Sequence, residues 1–61
     1  MWYTVWRKLS PNTYRFYMAA ESFSVAQSTL DTHNLGGVIT KTPHSYSTNF
    51  VHISTIKTYI I

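Results

Sequence analysis

Polar and apolar side chains alternate over residues 2–9. Trp2, Thr4, Trp6 and Lys8 fall on one side of an extended chain, and Tyr3, Val5, Arg7 and Leu9 on the other. Period-two alternation among aromatic and β-branched residues marks a strand, whose successive side chains point to opposite faces. The pattern stops at Ser10-Pro11-Asn12-Thr13. Proline presets the backbone for the second position of a turn, and asparagine tolerates the third. Alternation resumes over residues 13–18, with Tyr14, Phe16 and Met18 opposite Arg15 and Tyr17. Two such runs around a short polar turn predict a β-hairpin.

The period then changes. Phe23, Ala26, Leu30 and His33 recur at spacings of three, four and three, which places them on one stripe of a helix. Ser22 is suited to cap its first turn, and Glu21 sits beside the positive end of its dipole. Asn34 and the Gly36-Gly37 pair favour the left-handed backbone that ends helices. The helix is therefore expected over residues 22–33. At about three turns it is unstable alone and must lie on the apolar face of the hairpin. A third strand is predicted over residues 38–42, a polar loop over 42–49 and a fourth strand over 50–54. Residues 56–61 read as an extension of that strand or a short fifth one. The whole chain then reads as one α+β domain, residues 1–61. Its order is strand, strand, helix, strand, strand, with a mainly antiparallel sheet and one helix packed on one face.

Size sharpens this picture. A chain of 61 residues buries only about 60% of its unfolded surface and folds near the margin. Without cysteine it has no disulfides, no thiol chemistry and no thiolate zinc site. Aromatic packing, self-association or a larger partner must supply what is missing, and a 16% aromatic content favours the first. That content and 44% hydrophobic residues also argue against disorder. Charged residues are 11% of the chain, less than half of the usual share, so the surface is weakly protected against association. No apolar run approaches the ~20 residues of a membrane span, and the start of the chain lacks a secretory pattern. A cytoplasmic protein that starts at Met1 is expected.

Candidate chemistry thins out under the same scrutiny. Glu21 and Asp31 are the only carboxylate side chains, and ten residues of helix hold them about 15 Å apart, too far to share one scissile bond. No serine lies in a nucleophile elbow. His33, His44 and His52 are spaced by eleven and eight residues, unlike any metal-ligand pattern. Helix termination accounts for Gly36-Gly37, which belong to no phosphate-binding fingerprint. No enzyme activity, cofactor or metal is expected.

The remaining chemistry lies in the aromatic and basic residues. The formal charge is +3, from five dispersed cations. With one helix available, the reverse face of the sheet is expected to stay open and to carry aromatic groups that need a partner. Protein interfaces concentrate Trp, Tyr and Arg. The expected function is a small non-enzymatic module that binds another protein, or a second copy of itself, and blocks a target sterically through the aromatic sheet face or a strand edge. Chains of this kind are frequent among phage and mobile-element inhibitors of host proteins. Trp2, Trp6, Arg7, Arg15, Tyr17 and Tyr46 are the candidate contact residues, Tyr46 because it lies in the long loop. One alternative is a single-stranded nucleic-acid binder that stacks bases on the hairpin aromatics. A structural subunit of a larger assembly is another.

Overall fold

A computed structural model describes all residues, Met1–Ile61. Strands β1 (Trp2–Ser10) and β2 (Thr13–Ala20) form the hairpin, and helix α1 (Phe23–Thr32) follows. Strands β3 (Val38–Thr42) and β4 (Phe50–His52) complete an antiparallel sheet in the order β3-β1-β2-β4. The fold is α+β, with α1 on one face.

The C-terminal segment departs from the sequence expectation. The predicted fourth strand ends at His52, and the chain turns into a short helix, α2 (Ile53–Ile56), and a 3-10 turn, Lys57–Tyr59. His52 starts α2, its Nδ1 accepting the Ser54 backbone N–H at 3.1 Å. Ile53 N–H donates to the Asn12 carbonyl at 2.7 Å, which ties α2 to the hairpin turn. Only Ile60 and Ile61 return to the sheet: Ile60 bridges Thr40 on the outer edge of β3, and Ile61 N–H donates to the Ile39 carbonyl at 3.0 Å. Residues that looked β-prone in isolation thus form a strap across the sheet.

That strap covers the face expected to be open. The first core, Val5, Ala26 and Ile39 with Tyr3, Met18, Leu30 and Leu35 against them, lies under α1. The second lies on the reverse side, where Trp6, Tyr14, Val51 and Ile56 are joined by Phe16, Val38, Tyr46 and Ile53. Trp6 and Ile56 are both 0% exposed. One helix alone does leave the reverse side bare, but a second, shorter cover from the chain end closes it.

A bulge in the hairpin makes the two cores compatible. Val5 pairs with Met18 but Trp6 pairs with Phe16, so Tyr17 is an extra residue in β2. An extra residue shifts every later side chain to the other face. Met18 therefore joins Val5 under α1, while Phe16 and Tyr14 join Trp6 on the reverse side. Simple alternation had put Tyr14, Phe16 and Met18 together.

Of the two glycines, only Gly37 departs from the helix-ending role read from sequence. Asn34 and Gly36 do adopt positive φ, 50° and 62°, as the chain leaves α1. Gly37 does something else: an added Cβ would lie 1.6 Å from the Trp6 carbonyl oxygen. It lies hard against the backbone in the middle of β1 as the chain enters β3. Ser22 precedes α1 as expected but makes no side-chain cap bond, its Oγ lying 2.9 Å from Ser24 Oγ instead.

Candidate functional site

On the α1 side, the helix shields only part of the sheet. Arg7 is opposed to Arg15 in the β1–β2 register, and Arg15 is opposed to Phe50 in the β2–β4 register. The three residues form one row across three strands, beyond the area α1 covers. Alternation from Val5 puts Arg7 on the α1 side, and the pairing carries Arg15 and Phe50 with it. The Arg15 guanidinium carbon lies 5.8 Å from the Phe50 ring centroid, within cation–π range. Both arginines are exposed, and Phe50 is 56% exposed. Tyr17, the bulge residue, is 40% exposed, and its ring centroid lies 5.5 Å from that of His33 at the C-terminal end of α1. Like charges directly opposite in a sheet are destabilising. The row is therefore a basic, ring-flanked surface that an anionic group would relieve.

Among the residues singled out from sequence, Arg7, Arg15 and Tyr17 come together here. The other three lie elsewhere. Trp6 is interior: its ring meets Phe16 edge-on at 5.8 Å and Tyr46 at 4.9 Å, and Nε1–H donates to Thr40 Oγ1 at 2.8 Å. It offers nothing to a partner while the strap is in place. Tyr46 is half-buried against it. Trp2 is half-buried at the other end of β1, paired with Thr42. Phe50 and His33 were not singled out, because nothing in the spacing shows that β4 lies beside β2 or that α1 ends over the bulge.

The remaining chemistry has local explanations. Ser54 Oγ lies 2.9 Å from His52 Nδ1, but that nitrogen also accepts the Ser54 backbone N–H, so the contact belongs to the α2 cap. Histidines and carboxylates nowhere gather in a group of three that could hold a metal. An open cleft of about 270 Å³ is lined by Thr42, Pro43, His44, Ser45, Tyr46 and Tyr59. No lysine, arginine, aspartate or glutamate lines it. No helix is long and apolar enough to cross a membrane.

Tyr46 has a testable electrostatic signature. Its hydroxyl is buried without a hydrogen-bond partner of good geometry. Burial raises its pKa above the ordinary 10.0, the neighbouring Thr40 side chain partly offsets this, and Tyr59 reinforces it. The unfolded chain therefore loses this proton first. Tyr46 contributes stability that is complete below pH 10 and declines as the pH rises through the higher folded-state value. Tyr46→Phe is expected to leave stability at neutral pH unchanged or slightly improved, since it removes an orphaned buried hydroxyl. The variant should lose less stability than the wild type between pH 9 and pH 11, to be read from urea midpoints at each pH. A loss of more than about 1 kcal/mol at neutral pH would show that the hydroxyl is satisfied after all.

No protein-family model, curated protein or solved structure matches the chain.

Proposed function

We propose that the chain is a non-enzymatic docking module for another protein, acting through the row Arg7, Arg15 and Phe50 with Tyr17 beside it. The observation that carries this reading is the direct opposition of Arg7 and Arg15 on an exposed strip next to two exposed rings. Arginine and tyrosine are enriched where protein interfaces concentrate their binding energy. The strip is set on paired strands with a packed core on either side, so little ordering cost accompanies contact. A partner seated there is blocked sterically wherever this chain covers it.

The distribution of charge favours a protein over a nucleic acid. A single strand is held by cations that track its phosphates along a groove. Here only Arg7 and Arg15 share the strip. Lys41 lies over the Tyr3 ring, 5.8 Å from its centroid, at the far end of β1. Lys8 alternates onto the reverse side with Trp6, and Lys57 is in the 3-10 turn.

The test compares three immobilised proteins against extract from cells that make the chain: the wild type, Arg7→Gln/Arg15→Gln, and a Lys57→Gln control. A protein retained by the wild type and the control but released by the double variant is the expected result. Retention that is equal on all three would contradict the reading, as would retention of nuclease-sensitive material alone.

A further inference from the structure

Resting on that docking reading, we propose that Arg7 and Arg15 receive a pair of carboxylates from an extended acidic segment of the partner protein. The two arginines face each other across β1 and β2, where opposed Cβ atoms stand about 5 Å apart. Alternate side chains of an extended segment lie about 7 Å apart on one face, a span that two long arginine side chains can meet. Each guanidinium presents a planar fork that matches a carboxylate with two parallel bonds. Phe50 and Tyr17 flank the pair with exposed apolar surface. An acidic segment with apolar neighbours fits this arrangement in both charge and alternation.

No carboxylate of the chain lies within ion-pair distance of either arginine. Glu21 follows the end of β2, six residues from Arg15 and about 20 Å away along an extended strand. Asp31 accepts a hydrogen bond from Gln27 Nε2 at 3.0 Å. A second copy is a poor donor, because its two acidic side chains lie ten positions apart, one of them within α1, and cannot stand alternate on one extended segment. The partner must bring the negative charge.

The probe is a dye-labelled peptide that alternates glutamate with leucine, titrated by fluorescence anisotropy against the full chain. A glutamine–leucine peptide and a dye-labelled single-stranded oligonucleotide run beside it. The glutamate peptide is expected to bind and the glutamine peptide not to. Removing either arginine as Arg7→Gln or Arg15→Gln should weaken binding by about tenfold, the scale of one hydrogen-bonded charge contact. Arg7→Lys/Arg15→Lys should fall between, since lysine keeps the charge and loses the fork. Lys41→Gln should change nothing. All the variants alter exposed positions, and circular dichroism checks that they fold. Failure of the glutamate peptide to bind would overturn the inference, as would binding indifferent to both arginines or tighter arginine-dependent binding of the oligonucleotide. The two readings separate in the capture experiment. A partner lost from Arg7→Gln/Arg15→Gln but not displaced by excess glutamate peptide sinks the carboxylate pair and leaves the docking strip standing. A partner retained by the double variant sinks the strip itself.

Discussion

Gly37→Ala is expected to abolish cooperative folding, the largest effect of any single methyl group in this chain. The added Cβ would stand 1.6 Å from the Trp6 carbonyl oxygen, 2.8 Å from the Trp6 carbonyl carbon and 3.2 Å from Arg7 Cα. These are backbone atoms in the middle of β1, so no rotamer change relieves the overlap. Relief requires the start of β3 to move away from β1, which breaks the Trp6–Val38 pairing. That pairing holds together the strands whose alternate faces carry both cores. Overpacking commonly costs about 1–3 kcal/mol, and more where the backbone must shift. A domain of this length has only about 3–9 kcal/mol in total. The adjacent glycine supplies the control. Gly36 has open space around its missing Cβ and a φ of +62°. Gly36→Ala should therefore cost only the strain of a left-handed alanine, about 1–2 kcal/mol, and should still fold. Equal and small losses for both variants, read from urea unfolding, would mean that β3 does not approach β1 as described.

Trp6→Ala is expected to destabilise the fold by about 3–5 kcal/mol, the range for removing a large buried ring. Three separate interactions disappear together. The ring fills the centre of the reverse-side core at 0% exposure. Its edge-on contacts with Phe16 and Tyr46 go with it. So does the Nε1 bond to Thr40 Oγ1, which leaves a buried hydroxyl without its donor. Trp6→Phe separates the contributions, since it keeps an aromatic ring and removes the donor. It should lose less than the alanine variant. A Trp6→Ala protein with nearly wild-type stability would place the indole outside the core and undo the two-sided architecture.

What the sequence showed, and what it hid, divides along the kind of information each element needs. The hairpin, α1 and β3 are set by local pattern: period two, then period 3.6, with turn residues between them. Their limits lie within two residues of those expected. The bulge at Tyr17 left no local mark, because an aromatic residue is equally at home on either face of a strand. It moved Phe16 and Tyr14 to the side of Trp6 and Met18 to the side of Val5. The strap was misread for a related reason. Isoleucine, threonine and tyrosine favour strands, and that preference outweighed the helical spacing of Ile53, Ile56 and Ile60. Helical turns won because Ile53 and Ile56 reach the Trp6 side of the sheet together.

The same two events decided the candidate site. Trp6 was grouped with the arginines on the premise that an aromatic face stays bare, and Tyr46 because it lies in the long loop. Once the strap covers that face, both belong to the core. Arg7 and Arg15 remain outside because their row lies past the end of α1, and Tyr17 stays 40% exposed beside His33 at that end. Phe50 joins them only through the β2–β4 pairing, which connects residues 35 positions apart in the chain.

The central claim is that the chain's own C-terminal segment seals the reverse side of the sheet. Trp2→Phe leaves Trp6 as the single indole, and acrylamide quenching of its fluorescence reads that seal directly. The folded variant should show blue-shifted emission and weak quenching, rising to the level of free tryptophan in urea. Strong quenching in the folded protein would contradict it, with folding verified by circular dichroism in the same sample.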